Sequence, residues 1–263
     1  MNILESIAAV KREEITSRKI TNPVSDLEKS AFFNLRMPSF FDALAKPGPS
    51  IIGEFKRKSP SRGDINPGAG IIQVALGYQD AGIAAVSVLT DEEFFGGKNS
   101  DLHAVAGLLK IPLLRKDFII DEYQVYEAKS IGSSAILLIA SILSKKEVDI
   151  LSGIALDLGM DVLFEIHELT DLGKMSRNIK IVGVNNRNLK TFKISMDSSI
   201  DLFQHLPEGC LKVAESGFQT PDDVRRLFYK GYNAFLIGEN FMKSEEPWIS
   251  AELFIKNLKL LIE

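Results

Sequence analysis

The chain has 263 residues, of which 45% are hydrophobic and 25% are charged, enough for one large globular core. Its net charge of −4, from 31 Lys and Arg against 35 Asp and Glu, argues against general binding to nucleic acid or anionic membranes. The single cysteine, Cys210, excludes an internal disulfide and favours a reducing, cytoplasmic environment.

The first 48 residues have a helical pattern that differs from the rest of the chain. Apolar residues recur at helical spacing from Ile3 to Val10. The sequence SDLE at 25–28 has the capping-box pattern, which predicts the start of a second helix there. The segment Pro47–Pro49 then interrupts the pattern. We expect residues 1–48 to be a helical extension packed on the remainder of the chain, within a single domain.

From residue 50 onward, short apolar runs alternate with helical patterns. The runs cover 51–55, 83–89, 111–115, 134–139, 161–166, 181–185, 211–215 and 233–237. The helical patterns between them include 70–81, 121–130, 144–158, 168–177 and 220–229. This alternation predicts a parallel sheet, and eight βα units over residues 49–263 favour a closed (β/α)8 TIM barrel. A doubly wound open sheet is the alternative with the same periodicity.

The first run ends in two opposite charges that share one face of the predicted strand. Glu54 and Lys56 are two residues apart, so their side chains project together, just before a loop rich in Gly, Pro and Ser. Burying two charges side by side is costly unless each is paired, and chains retain that arrangement mostly at active sites. The alternative interpretation of the basic run from Lys56 to Arg62 is a solvated patch or a localisation signal.

Four other runs end in polar residues on the same strand face as the apolar or glycine residues before them. These polar residues are Lys116, Glu165, Asn185, Arg187 and Glu215. In a TIM barrel, the C-terminal ends of the strands carry the active site. The predicted site therefore combines three carboxylates with two lysines and one arginine, charges that shift one another's pKa values as general acid–base chemistry requires.

Two glycine-containing segments predict a phosphate site. Ser216 and Gly217 follow the seventh run, and Gly238 and Glu239 follow the eighth. Barrels frequently bind phosphate with the loops after strands seven and eight and with the N-terminus of a short helix. Glycine lets backbone N–H groups approach the phosphate oxygens closely.

No sequence pattern indicates a metal, a nucleotide cofactor or a membrane segment. His103, His167 and His205 lack metal-ligand spacing, and neither a Walker loop nor a G-x-G-x-x-G after a strand is found. His167 shares a strand face with Glu165, but we interpret it as a loop or helix-start residue. The start of the chain lacks a signal-peptide pattern, and no apolar run approaches the ~20 residues of a membrane span.

Taken in order, the strand-end motifs resemble those of the indole-3-glycerol phosphate synthase family. The matching segments are EFKRKSPS at 54–61, LTD at 89–91, FFGG at 94–97, LRKDFI at 114–119, FEIH at 164–167, GVNNRNL at 183–189, VAESG at 213–217 and FLIGE at 235–239. The sequence PSFFDAL at 38–44 extends the match into the helical extension. The resemblance covers essentially the whole chain, and together the motifs are highly specific.

The resemblance implies a TIM barrel with an N-terminal helical segment that catalyses a step of tryptophan biosynthesis without a metal or organic cofactor. Such an enzyme converts 1-(2-carboxyphenylamino)-1-deoxyribulose 5-phosphate into indole-3-glycerol phosphate, CO2 and water. By resemblance, Lys116 is the general acid for ring closure and Glu165 is its acid–base partner in the later dehydration. Lys56 contacts the substrate carboxylate and shares in proton transfer, and Glu54 completes the catalytic group.

The resemblance also assigns the binding residues. The substrate-binding residues are Asn185, Arg187, Glu215, Ser216, Phe95 and Phe118, and the phosphate-binding residues are Ser59, Gly217, Gly238 and Glu239. Phenylalanine rings suit an aromatic ring, whereas lysine, arginine and backbone N–H groups suit a carboxylate and a phosphate. We therefore expect a phosphorylated small molecule as partner, neither nucleic acid nor membrane, and a monomer or weak homo-oligomer in the cytoplasm.

The chain departs from the family pattern in phosphate-binding detail. Glu239 stands where some members have Ser, and Asn186 and Asn188 stand where others have Ser or Asp.

Two other functions fit the residues. One is a different phosphosugar barrel enzyme, either an isomerase or a Schiff-base aldolase that uses Lys116. The other is a phosphosugar-binding barrel that has lost activity, although the presence of both Lys116 and Glu165 argues against that loss.

Overall fold

The eight apolar runs form a closed parallel barrel in the computed structural model, which describes residues 3–188 and 191–263. The strands are β1 (Ser50–Phe55), β2 (Ala85–Leu89), β3 (Leu113–Lys116), β4 (Ala135–Ile139), β5 (Asp161–Ile166), β6 (Ile181–Asn185), β7 (Leu211–Glu215) and β8 (Ala234–Ile237). Each strand pairs with the next along the chain, and β8 pairs with β1. The TIM-barrel prediction is confirmed. Residues 1 and 2, which belong to the expected helical extension, lie outside the described residues. So does Leu189, the last residue of the GVNNRNL motif.

Helices surround the barrel and precede it. They are α1 (Ile3–Thr21), α2 (Val24–Leu27), α3 (Phe40–Leu44), α4 (Ile71–Asp80), α5 (Asn99–Ala106), α6 (Glu122–Ser130), α7 (Lys145–Asp157), α8 (Asp197–Leu202), α9 (Pro221–Lys230), α10 (Glu239–Met242) and α11 (Pro247–Ile262). Helices α4, α6, α7 and α9 confirm the predicted helical segments. Side chains of Asp121, Ser144 and Thr220 begin three of these helices with capping boxes, which satisfy backbone N–H groups that have no helical acceptor.

Two helix predictions were wrong in detail. The segment 168–177 contains a short 3-10 helix, Leu169–Lys174, because the Asp171 carboxylate accepts hydrogen bonds from the two preceding N–H groups of residues 167 and 168 and tightens the turn. Near the N-terminus, α2 begins at Val24 after Pro23, and Ser25 lies inside the helix instead of capping it. Proline has no N–H to satisfy, so it suits the position before the first turn.

The two faces of each strand pack into different apolar clusters. The inner cluster fills the barrel and includes Ile52, Ala85, Leu114, Ala135, Leu163, Ile181, Val213 and Ala234. The alternate residues, such as Val86, Leu138 and Phe235, pack outward against the helices. Side chains along a strand alternate in direction, so a residue two positions after an inner-facing residue also points into the barrel, at its C-terminal end. The residues placed in this way are Glu54, Lys116, Glu165 and Glu215.

The helical extension contacts both ends of the barrel. At the N-terminal end of the strands, Phe40 and Leu44 of α3 are fully buried against the inner cluster. Asp161, the first residue of β5, accepts a hydrogen bond from the Phe41 N–H at 2.9 Å, which fixes α3 there. At the opposite end, Lys11 of α1 reaches the residues that follow β2 and β3. The extension thus closes one end of the barrel and borders the other.

Candidate active site

Three glutamates surround Lys116 at the C-terminal ends of the strands. The Lys116 Nζ lies 3.8 Å from Glu165 Oε2 and 3.9 Å from an oxygen of both Glu54 and Glu215. Lys56 binds Glu54 on its other side, with its Nζ at 2.7 Å from Oε1. Each of the three carboxylates is almost fully buried, so their charges act on one another and on Lys116 with little screening by water.

Two glycines make room for this crowded cluster. A Cβ on Gly183 of β6 would collide with the Glu215 carboxylate, and a Cβ on Gly238 would stand 2.5 Å from Glu54 Oε1. In both cases the glycine faces into the barrel beside a glutamate from another strand. The strands can therefore bring their carboxylates close to Lys116 only because these two positions carry no side chain.

The surroundings push the pKa values of the charged groups in different directions. Burial raises the pKa of Glu215 well above its ordinary value, and the nearby Glu165 charge raises it further. Burial would also raise the pKa of Glu54, but Lys56 and Lys116 outweigh it, so the pKa of Glu54 is lowered. Burial would lower the pKa of Lys116, but Glu165, Glu54 and Glu215 together raise it. The surroundings thus favour the charged forms of Lys116 and Glu54 and favour proton binding by Glu215.

Glu215→Gln is expected to raise the melting temperature relative to wild type, and by more at pH 8 than at pH 5. The pKa of Glu215 is raised in the folded protein, so the wild-type protein loses stability as the pH rises through this raised pKa and the buried carboxyl has to ionise. The amide introduced by Glu215→Gln stays neutral throughout. Thermal unfolding across this pH range measures the difference. The exposed Glu208→Gln is the control, and a difference for Glu215→Gln that does not change with pH would contradict the prediction.

One wall of the pocket above the cluster is apolar. Phe95 and Phe118 have ring centroids 6.0 Å apart and lean towards each other at 37°. Leu89, Leu137 and Ile139 also line the pocket. Apolar walls with a few convergent polar groups are typical of small-molecule sites. The paired rings offer a surface on which a flat aromatic group can pack.

The opposite wall is polar and contains strained backbone. Ser216 has a φ of 69° and Gly217 a φ of 95°, two successive left-handed residues directly after β7. Such a conformation is costly for serine and occurs mostly at functional sites. A Cβ on Gly217 would stand 2.7 Å from the side chain of Ile194. The Asn186 side chain supports the turn, because its Nδ2 donates to the Ser216 carbonyl at 3.1 Å.

A carboxylate between two arginines borders the pocket on the polar side. Glu239 lies 3.1 Å from Arg62 Nε and 3.4 Å from an Arg187 nitrogen. Arg187 also donates to Ser61 Oγ at 2.8 Å. Arg62 and Ser61 belong to the turn of the hairpin that follows β1, formed by Lys58–Ser59 and Gly63–Asp64. These contacts connect the loop after β1 with the residue that begins α10.

The structure gathers nearly all the predicted site residues around this pocket. The lining includes Glu54, Lys56, Phe95, Lys116, Phe118, Glu165, Asn185, Arg187, Glu215, Ser216, Gly217, Gly238 and Glu239. Ser59 does not line it, because it lies in the hairpin, paired with Gly63. Arg62, Leu137 and Asn240 are among the lining residues that were not predicted as site residues. Leu137 had a signal in its position on the inner face of a strand, and Arg62 had one in the basic run after β1.

His167 lies beside Glu165 but does not line the pocket. It directly follows β5, as expected for a loop residue, yet its Nε2 is 3.5 Å from Glu165 Oε1.

Within residues 3–188 and 191–263, no group of three His, Cys, Asp or Glu side chains is arranged to hold a metal ion. Nor does any helix in this part of the chain have the length and apolar character needed to cross a membrane.

Solved structures with the same fold support the architecture. The chain matches 3-hexulose-6-phosphate synthase from Salmonella typhimurium with a TM-score of 0.62 at 11% identity, covering 80% of this chain and 99% of that one. It matches the tryptophan synthase alpha subunit from Legionella pneumophila with a TM-score of 0.60 at 9% identity, covering 84% and 97%. Likeness at such low identity shows the fold alone. Together with the acid–base cluster in its pocket, the fold defines a TIM-barrel enzyme.

Sequence comparison identifies the family within this class. The family model for indole-3-glycerol phosphate synthase matches residues 4–256. The chain is 40% identical to the indole-3-glycerol phosphate synthase of Bacteroides thetaiotaomicron, covering 98% of this chain and 99% of the relative. It is also 40% identical to that of Polaromonas naphthalenivorans, covering 96% and 98%. The chain therefore belongs to the indole-3-glycerol phosphate synthase family.

Proposed function

We propose that the Lys116 cluster closes the indole ring of indole-3-glycerol phosphate. Family membership makes the chain a carboxy-lyase of tryptophan biosynthesis. The proposed substrate is 1-(2-carboxyphenylamino)-1-deoxyribulose 5-phosphate, and the products are indole-3-glycerol phosphate, CO2 and water. The observation that carries the proposal is the position of one ammonium group among three buried carboxylates, between a wall of paired aromatic rings and a polar wall.

Ring closure is the first step. The ring carbon that bears the substrate carboxylate attacks the ketone carbon, forming a carbon–carbon bond, while the carbonyl oxygen takes a proton from Lys116. The three glutamates raise the pKa of Lys116, so it is present as the ammonium acid at neutral pH. Lys56 is proposed to hold the substrate carboxylate next to the site of attack, which keeps the reacting atoms in line.

Loss of CO2 and then of water completes the reaction. When the carboxylate leaves as CO2, its bonding electrons restore the aromatic ring. The hydroxyl group formed from the ketone then departs as water, and the adjacent carbon loses a proton, which gives the double bond of the indole. We assign the acid–base work of this step to Glu165, which lies 3.8 Å from Lys116. Glu54, held by both lysines, supports the charge of the catalytic ammonium groups.

The two ends of the substrate are proposed to bind at opposite walls. The carboxyphenyl ring packs against Phe95 and Phe118, and the phosphate binds at the turn after β7 and the residues after β8. Gly217, Gly238 and Glu239 contribute backbone N–H groups there, and Asn185, Arg187, Glu215 and Ser216 bind the part between. Ser59 lies outside the pocket lining and is assigned no phosphate contact. The first N–H groups of a helix have no intrahelical acceptor, which favours an anion next to α10.

Replacing Glu239 tests the backbone role. Glu239→Ser keeps the backbone N–H, so the KM is expected to stay nearly unchanged. The KM falls slightly if the lost carboxylate, which pairs with Arg62 and Arg187, had repelled the phosphate. Glu239→Pro also loses the carboxylate but differs from Glu239→Ser in lacking the backbone N–H, at the first helical position where proline is well tolerated, so it should raise the KM markedly relative to the serine variant. Steady-state kinetics of both variants provide the measurement. Normal substrate affinity in the proline variant would refute the backbone contact.

Schiff-base chemistry is the alternative that the site argues against. A lysine that attacks a carbonyl must be neutral, and enzymes achieve this by lowering its pKa. The three glutamates raise the pKa of Lys116 instead. We expect that borohydride added during turnover will leave no covalent adduct on the enzyme, as judged by intact-protein mass spectrometry. A trapped adduct on Lys116 would favour an aldolase-type reaction.

The reaction stoichiometry tests the proposed function. Substrate labelled with 13C in its carboxyl group should release one molecule of labelled CO2 for each molecule of indole-3-glycerol phosphate formed. Unlabelled product accompanied by one labelled CO2 supports the sequence of steps above. Release of CO2 without an indole product, or an indole product that retains the label, would contradict it.

We further propose that residues 1–263 act as one domain, in the cytoplasm, as a monomer or weak homo-oligomer without nucleic acid or membrane partners. The net charge of −4 and the single cysteine support this environment. Contacts of α1 and α3 with opposite ends of the barrel support a single domain. Size-exclusion chromatography with light scattering measures the oligomeric state directly.

A further inference from the structure

The ammonium group of Lys11 joins the helical extension to two loops of the barrel. Its Nζ lies 2.9 Å from Asp91 Oδ2 and 3.2 Å from Asp117 Oδ1, and the side chain is 1% exposed. Glu14, almost one turn further along α1, adds an oxygen at 2.9 Å. Asp91 follows β2 by two residues, and Asp117 directly follows Lys116 at the end of β3. Lys11 therefore spans two consecutive loops at the end of the barrel that carries the pocket.

Both aspartates also hold the backbone of phenylalanines in the apolar wall. Asp91 Oδ1 accepts a hydrogen bond from the Phe95 N–H at 3.1 Å, and Asp117 Oδ1 accepts one from the Phe118 N–H at 2.8 Å. Phe95 and Phe118 are the two rings that pack against each other over the pocket. Direct contacts thus run from Lys11, through one carboxylate on each side, to the backbone of both aromatic residues.

The two carboxylates depend on Lys11 to different degrees. Asp117 also pairs with Arg115, at 3.1 Å. For Asp91, Lys11 is the only Lys, Arg or His side chain with a nitrogen within 4 Å in the part of the chain that the structure describes. Asp91 is fully buried, and a buried carboxylate that loses its partner must take up a proton or move towards water. Movement of Asp91 would release the segment that positions Phe95.

We propose that Lys11 is a positioning residue for the aromatic-ring subsite. It does not touch the substrate, but it holds Asp91 and Asp117 so that the Phe95 and Phe118 rings stand at the spacing that receives the carboxyphenyl ring. The inference rests on the proposed function, because that function supplies the aromatic substrate. It assigns to the helical extension a defined task in binding one end of the substrate.

Lys11→Met tests the proposal, since methionine keeps the length and helix preference of lysine without its charge. The KM for the carboxyphenylamino substrate is expected to rise about tenfold, because small displacements of positioning groups have large effects. The dissociation constant for inorganic phosphate, measured by calorimetry, should stay unchanged because phosphate does not reach the rings. The control is Lys19→Met on the same helix, which removes a more exposed ion pair to Asp121. An unchanged KM in Lys11→Met, or equal changes in both variants, would overturn the proposal.

Hydrogen exchange gives a second readout that does not require turnover. In Lys11→Met, peptides covering residues 91–97 and 116–120 should exchange about tenfold faster than in wild type, with the remaining barrel unchanged. Exchange that is unchanged in these segments, or faster throughout the barrel, would show that Lys11 has no specific positioning role. If wild type has no synthase activity, the proposed function fails, and this exchange pattern still decides whether Lys11 positions the two loops.

A milder variant covers the possibility that Lys11→Met does not fold. Lys11→Gln is neutral but keeps an N–H donor for one aspartate, so it should fold and still raise the KM by about threefold or more. The same two measurements apply to it. A folded Lys11→Gln protein with wild-type KM and wild-type exchange in both segments would overturn the proposal.

Discussion

Lys116→Ala is expected to abolish measurable turnover. The residue is proposed to supply the proton for ring closure, and general acid–base groups typically contribute ~10²–10⁴-fold to the rate. It stands at the end of β3 among Glu54, Glu165 and Glu215, and no other lysine is placed at 3.8–3.9 Å from all three in the described part of the chain. Lys56, which pairs with Glu54, is therefore not expected to replace it. Steady-state assays at saturating substrate measure the loss.

Folding is expected to survive the substitution, because the buried carboxylates can take up protons when their cation is removed. Lys116→Arg provides the matched variant: it keeps a positive charge among the glutamates, but a guanidinium group is a very weak acid. Both variants should therefore be inactive, with Lys116→Arg melting closer to wild type. Turnover within about threefold of wild type in either variant would remove Lys116 from the acid role.

Glu165→Gln is expected to lower kcat strongly while substrate affinity is retained. The amide keeps the shape of the side chain but cannot accept a proton in the dehydration step, so the loss should fall in the ~10²–10⁴-fold range of general acid–base catalysis. Glu165 is almost fully buried and faces Lys116 across 3.8 Å, so the substitution also removes one carboxylate that raises the pKa of Lys116. Pre-steady-state measurements should show that the step after CO2 release is slowed.

Calorimetric titration with a non-reactive product analogue separates catalysis from binding. The Glu165→Gln protein should bind the analogue with nearly wild-type affinity. The exposed Glu252→Gln on α11 controls for a change in net charge and should behave as wild type in both assays. Loss of analogue binding together with turnover would mean that Glu165 is a structural partner of the lysines instead of an acid–base group.

The barrel and its acid–base cluster could be predicted because both depend on a period of two along the strands. Each strand places alternate residues on the inner face, so a charged residue two positions after a buried one must enter the open end of the barrel. Glu54, Lys116, Glu165 and Glu215 follow this rule. The two-residue alternation does not show which side chains contact one another. The contact of all three glutamates with Lys116 was therefore visible only in the structure.

Residues that act through loops or through the extension escaped prediction for physical reasons. Lys11 was not predicted as a site residue, although Ile7, Lys11 and Ile15 recur every four residues on one buried face of α1. A lysine on an apolar helix face indicates a buried ion pair, but the sequence does not show with what. Arg62 reaches Glu239 through the turn of a hairpin whose path depends on tertiary contacts.

Formation of indole product by the purified chain decides whether Lys116 catalyses ring closure. Addition of 1-(2-carboxyphenylamino)-1-deoxyribulose 5-phosphate should produce a steady rise in indole fluorescence, and the same preparation of Lys116→Ala should give none. That pair of results would establish both the reaction and the residue on which it depends. A wild-type protein that binds the substrate without forming indole, or equal rates in the two proteins, would show that the Lys116 cluster does not catalyse this reaction.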